Sequence, residues 1–160
     1  GSAPATDLTT SLNVVIKDFK ADDHANTIQT ATPLLTDNVD VPGRIDMVGD
    51  LDMFKVSPLQ SGKMVLRVSG LALGMQPKIR LLKADGTSVI GQYTFTPEPS
   101  KYFFTVVEGT ANTPFYVEIA HQNSNAVGGL YNISIGASLE SGGEPKLASN
   151  TNVYLPLIVK

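Results

Sequence analysis

Lys78-Ile79-Arg80-Leu81-Leu82-Lys83-Ala84-Asp85-Gly86-Thr87-Ser88-Val89-Ile90 is the stretch whose reading decides the fold. Ile79 and Leu81 fall on one side of an extended chain and Lys78 and Arg80 on the other, which is the period of two of a half-buried strand. Asp85-Gly86 then supplies two residues that tolerate positive φ, so the chain turns back and a second strand follows over Thr87 to Ile90. The same alternation spreads outward from this hairpin. Met64, Leu66 and Val68 lie opposite Lys63 and Arg67, and Phe54 shares a face with Val56. Further along, Phe104 and Val106 alternate with Phe103 and Thr105. Phe115, Val117 and Ile119 alternate with Tyr116 and Glu118, and Tyr131, Ile133 and Ile135 with Asn132 and Ser134. Breaks rich in Gly, Pro and Asn separate these runs, and no 3.6-residue pattern is sustained. Short strands with regular turn signals imply an all-β chain, an antiparallel β-sandwich of jelly-roll type in which two apolar sheet faces cover each other.

The 160 residues are 42% apolar, enough for one core that buries roughly 68–70% of the surface exposed by the unfolded chain. Residues 1–11 are small and polar and read as a linker tail. The sandwich is expected over 12–137, beginning with a strand at Leu12 to Phe19. Between Asn26 and Leu35 the spacing allows a short helical turn stopped by Pro33, with Asp22 or Asp23 near its N-terminus. Residues 138–160 read as a Gly-containing linker and an apolar end, Val153-Tyr154-Leu155-Pro156-Leu157-Ile158-Val159. That end either docks as an edge strand, where Pro156 is tolerated, or meets a partner.

Charge and composition exclude several functions. The net charge is −3 and the twelve basic residues are scattered, so no nucleic-acid partner is implied. The absence of cysteine removes disulfide, zinc-thiolate and thiol chemistry. No apolar run approaches the ~20 residues of a membrane span.

The acids, by contrast, are concentrated. From Asp18 to Asp52 there are eight aspartates against Lys20 and Arg44. Half of them fall in Asp22-Asp23-His24-Ala25-Asn26-Thr27 and in Gly49-Asp50-Leu51-Asp52-Met53-Phe54. Ca²⁺ takes about six to eight oxygen ligands, and two such segments brought together could supply them, with Asp50 and Asp52 projecting to one side of a strand. Alternatively, these acids cap turns and are solvated. Asp46 is a spare ligand, and Asp40 fits either reading.

The motifs also carry a resemblance. The segments 22–27 and 49–56, with Ser61-Gly62-Lys63-Met64-Val65-Leu66-Arg67-Val68, Ile79 to Gly86, Phe115-Tyr116-Val117-Glu118-Ile119 and Gly129-Leu130-Tyr131-Asn132-Ile133-Ser134-Ile135, follow one another in an order and spacing that resembles the bacterial pre-peptidase C-terminal domain. That jelly-roll module follows the catalytic part of many secreted peptidases and is akin to collagen-binding domains of clostridial collagenases. The resemblance runs from about Asp22 to Gly136. It implies a non-catalytic bacterial module, extracellular or at the cell surface, and a Ca²⁺ site made by Asp22, Asp23 and Asn26 from the linker half and Asp50 and Asp52 from the strand half. The linker half departs from the collagen-binding relatives, which carry glutamates before an Asn-Asp pair.

The remaining polar residues are read as structural. His24 hydrogen-bonds within its loop, and His121 ends a strand at the surface. No Gly-x-Ser-x-Gly elbow is present, and a sandwich of this size has little room for a buried nucleophile. For ligand contacts, Tyr102 and Tyr116 are the pair expected to share an outward face. The expected function is that of a Ca²⁺-stabilised accessory module whose partner is a parent catalytic domain or an extracellular protein or polysaccharide surface. A ligand-free spacer and a carbohydrate-binding module are the alternatives, the second weakened by the absence of Trp.

Overall fold

A computed structural model describes residues 21–95, 102–127 and 129–137. The expected strand at Leu12 to Phe19, both tails and the apolar end at 153–159 lie outside the described residues. Within them the chain forms nine strands: β1 (Thr32–Leu34), β2 (Val41–Arg44), β3 (Leu51–Val56), β4 (Gly62–Ser69), β5 (Pro77–Leu82), β6 (Val89–Thr94), β7 (Phe103–Gly109), β8 (Phe115–His121) and β9 (Leu130–Ala137). They make two sheets, β1-β3-β8-β5-β6 and β2-β9-β4-β7. From β2 onward every connection except the β5–β6 hairpin changes sheet, as in a jelly roll. Every pairing is antiparallel except that of β1, which runs parallel to β3. The described residues contain no helix, and so none long and apolar enough to cross a membrane.

Alternation places the core where the sequence implies. Phe54 and Val56, Leu66 and Val68, Ile79 and Leu81, Val117 and Ile119, and Tyr131, Ile133 and Ile135 form one buried cluster between the sheets. The hairpin turn forms at Asp85-Gly86, with Gly86 at φ 71° and the Lys83 N–H donating to the Ser88 carbonyl at 2.8 Å. The Asp85 carboxylate accepts from the Ser88 hydroxyl at 2.5 Å and from the backbone N–H groups of Ser88 and Thr87, both at 2.8 Å. These bonds, the Ser88 hydroxyl first, hold it well below the usual carboxylate range. The return strand starts later than expected, at Val89, and continues to Thr94.

Three expectations are corrected. The helical turn over Asn26 to Leu35 does not form. A single turn closes where the Thr30 N–H donates to the Thr27 carbonyl at 3.3 Å, and the chain then pairs as β1, because Pro33 lacks an N–H for a helix yet sits well on a sheet edge. His121 is buried rather than at the surface: its Nε2 lies 3.2 Å from the Gln76 nitrogen and 3.3 Å from the Gly74 carbonyl, and its Nδ1 3.1 Å from the Asn123 nitrogen and 3.2 Å from the Asn123 carbonyl, so one ring nitrogen accepts and the other donates, pinning two loops. Strand β8 is buried on both faces. It runs between β3 and β5, and the segment before β1 lays Ile28 and Ala31 over Met53, Leu82 and Tyr116 on the outer side of that sheet.

Candidate metal centre

The site lies at the head of β3, where the loop from β2 and the segment before β1 meet. Asp52 follows the inward parity of Phe54 and Val56, so its carboxylate enters the end of the core and is 0% exposed. Tyr131, inward on β9 of the opposite sheet, donates its hydroxyl to Asp52 Oδ2. The other oxygen, Oδ1, is shut from solvent and has no partner. Tyr131 comes this close because β2 passes it at Gly43, where a Cβ would stand 2.3 Å from the Tyr131 ring.

Asp50, also buried, closes the β2–β3 loop. Its Oδ2 accepts from the Asp46 N–H at 2.8 Å and its Oδ1 from the Leu51 N–H at 2.9 Å. Gly49, at φ 78°, makes the preceding turn. Asp22 arrives from the segment before β1, which is tied to β3 where the Met53 N–H donates to the Ala25 carbonyl at 3.0 Å. One ligand atom each from Asp22, Asp50 and Asp52 lies within 4.8 Å of the other two. Asp22 Oδ1 is a second buried oxygen with no partner. The Asn26 side chain faces Asp22 Oδ2, at 3.3 Å, and the Leu51 carbonyl. With its NH₂ turned inward Asn26 donates to both; with its oxygen inward, the oxygens of Asn26, Asp22 and Leu51 face one another.

The electrostatics follow from this crowding. Burial is the main cause that pushes Asp52 up to about 8; Asp23, Asp50 and Asp22 add repulsion, and the Tyr131 bond opposes the rise. Asp50 is raised as well, first by burial and then by Asp22 and Asp46, against its two backbone bonds. Burial, and then the charge of Asp52, raises the Tyr131 hydroxyl. Arg44, on β2, is spent elsewhere: it pairs with Asp46, its Nε 2.6 Å from Oδ2. Such a cluster is settled either by protons or by a bound cation. Three carboxylates, an amide oxygen and a backbone carbonyl are a hard-oxygen donor set of the kind Ca²⁺ takes.

Of the sequence-derived ligands, Asp22, Asp50 and Asp52 are brought together and Asn26 borders them. Asp23 stands outside the trio, its Oδ2 3.8 Å from His24 Nε2. His24 is buried, 4.6 Å from the Phe54 ring between centroids. Its Nε2 donates to the Pro42 carbonyl at 2.8 Å and its Nδ1 meets the Thr32 hydroxyl at 3.0 Å. The Pro42 oxygen can only accept, which fixes the proton on Nε2. Asp40 lies away from the site, bonded to Arg67 at 3.0 Å. Tyr102 and Tyr116 do not share a face. Tyr116 is 8% exposed, beneath Ile28 on the outer side of one sheet, while Tyr102 precedes β7 of the other sheet beside Phe104. Sequence reasoning missed Tyr131 and the Leu51 carbonyl. A tyrosine at inward parity needs a partner for its hydroxyl, and that signal was available for Tyr131; nothing in the sequence marks a single carbonyl.

Neither a protein-family model nor a curated protein sequence matches the chain. Among solved structures it is similar to the pre-peptidase C-terminal domain of collagenase from Bacillus anthracis, at 11% identity and TM-score 0.53, over 66% of this chain and 93% of that one. The chain has the pre-peptidase C-terminal fold. That is the fold its motifs resemble. Looser likenesses are to the Yersinia pseudotuberculosis-derived mitogen (11% identity, 68% and 90% covered, TM-score 0.46) and to a family 35 carbohydrate binding module from an environmental isolate (12% identity, 72% and 80% covered, TM-score 0.42).

Proposed function

We propose that this chain is a non-catalytic accessory module of a larger secreted bacterial protein, a peptidase in the first instance, and that Ca²⁺ at Asp22, Asn26, Asp50, Asp52 and the Leu51 carbonyl fastens the segment entering the sandwich to β3. The observation that carries the reading is Asp52: a carboxylate fully removed from solvent, with one oxygen unpartnered, beside two further carboxylates and, among the described residues, no basic group bonded to it. A divalent cation answers that charge and leaves the Tyr131 bond in place. Lack of catalysis is supported by the histidines, since both ring nitrogens of His24 and of His121 are engaged in holding loops. The module's contribution is then positional. It orients what precedes it and presents the sandwich to an extracellular protein or polysaccharide surface.

The test is a thermal melt in chelator, repeated with millimolar Ca²⁺ and with Mg²⁺. A clear rise of Tm with Ca²⁺ alone is expected. Identical curves in chelator and Ca²⁺ would sink the metal site and leave a spacer whose acids are protonated or solvated.

A further inference from the structure

Strand β4 is paired further on one flank than on the other. Against β7 its register runs to its first residue, Gly62, which faces Gly109; against β9 the last described pair is Met64 with Ala137. The bonds already made fix which way the next ones point. The Asn38 N–H donates to the Ile135 carbonyl at 3.0 Å, so Ile135 turns its polar groups toward the β2 side, and alternation turns those of Ser134 and Gly136 toward β4. Ser138 has the parity of Gly136, and the register carries it beside Lys63 and carries Leu139 beside Gly62. Side chains alternate as well. Tyr131, Ile133 and Ile135 point into the core and are buried, while Ala137 shares their parity yet is exposed, because the sandwich ends there in a groove of about 290 Å³. Thr36, Pro58, Met64 and Ala137 line that groove together with Leu59, which is 82% exposed. A Cβ on Gly62, also in the lining, would meet no described atom within 4 Å. Leu139 is the next residue of inward parity, and Glu140-Ser141-Gly142-Gly143-Glu144-Pro145-Lys146 after it holds no other large apolar side chain.

We propose that Ser138 and Leu139 extend β9, Ser138 exchanging both backbone hydrogen bonds with Lys63 and Leu139 seating in the groove against Pro58, Leu59 and Met64. Covalent continuity singles out this occupant: Ala137 is itself a wall of the groove, and two residues of strand advance the chain by about 7 Å. Gly62 leaves the room, since Leu139 and Gly62 fall in a non-hydrogen-bonded pair, where facing side chains stand closest. The foot of the sandwich is then closed by its own exit segment. The linker read from the sequence begins after Glu140 rather than after Ala137, and the exit is fastened by packing and strand bonds, with no part played by the cation proposed for the entrance.

The experiment is hydrogen exchange at the Lys63 amide of the full chain, read beside Tm. In the wild type this amide should exchange slowly, as one held in a strand ladder does. Leu139→Asp should strip its protection and lower Tm by several degrees, and Leu139→Met, of similar volume, should keep both at the wild-type level. Leu155→Asp, in the apolar end, should change neither. Rapid exchange of Lys63 in the wild type overturns the proposal, and so does protection that survives Leu139→Asp. Protection lost with Leu155→Asp would assign the groove to the apolar end and overturn it as well. All readings are taken in chelator, so this proposal and the metal centre stand or fall separately.

Discussion

Glu118 and Asp52 lie on neighbouring strands of one sheet, both buried, and their charges are treated in opposite ways. Glu118, on the outer face, is gripped by Arg80, whose Nη1 lies 3.1 and 3.0 Å from its two oxygens. Asp52, on the inner face, receives one tyrosine hydroxyl and is otherwise surrounded by acids. The first carboxylate is neutralised by the chain itself, and that pair is complete whatever the solution contains. Among the described residues no basic side chain does the same for the second, so its region should respond to pH and cations while the Glu118 region does not.

At fixed pH the largest effect is expected where the internal pair is broken. Arg80→Ala strands Glu118 in a buried setting and should cost about 3 kcal/mol, the lower end for a broken buried pair because Arg80 is partly solvated. Denaturant unfolding should show this loss equally in chelator and in Ca²⁺; a loss confined to one condition would couple the two regions. Next comes the metal. At a hundredfold excess over Kd, Ca²⁺ should add about 2.7 kcal/mol to the wild type. Asp52→Asn should abolish that gain while folding normally in chelator, and an unchanged gain in the variant would remove Asp52 from the site.

The pH response is read as a slope per unit rather than as a single loss. Asp52 titrates near 8 in the folded protein against an ordinary 3.8, so between those values the folded state holds a proton that the unfolded state has lost. Cation-free stability should therefore fall as pH rises from about 4 to 8, by up to ~1.4 kcal/mol per unit from this group, and level off above. Saturating Ca²⁺ should flatten the slope, as should Asp52→Asn; a chelated wild type that gains stability across this window would contradict the assignment. The smallest effect belongs to Tyr131→Phe, which removes one hydrogen bond without changing shape and should cost about 1 kcal/mol in unfolding experiments.

Alternation made the sandwich legible, because it states which side of each strand is dry and needs no knowledge of neighbours. It is silent on what covers the second side. Tyr116 and Glu118 read as outward and are outward, yet Ile28 and Arg80 close over them, and those contacts depend on residues 88 and 38 positions away in sequence. The parallel edge strand β1 was hidden for a related reason, since Pro33 reads as a stop and gains its place only from β3 alongside. At the site, the aspartates could be listed from sequence as acids in two clusters. Their separation into Asp22, Asp50 and Asp52 on one side and Asp23, Asp40 and Asp46 on the other follows the partners of the second group, His24 and Arg44 close by in sequence and Arg67 27 positions from Asp40. Sequence gives the ligand types; long-range packing decides which of them share a centre.

The chain joins the sandwich beside the acids at the head of β3 and leaves the described residues at Ala137, which pairs with Met64 near the start of β4 at the opposite end. Tension applied through the flanking residues would therefore act along the strands. The bonds that tie β9 to β2 and β4 lie across that direction and would share the load side by side, so they yield together or not at all. Force spectroscopy should record one abrupt rupture, and a strand-by-strand unzipping would contradict this. Held this way, the sandwich would carry load as a tensile link, and Ca²⁺ at the acids, under the proposed function, would tighten its upper fastening.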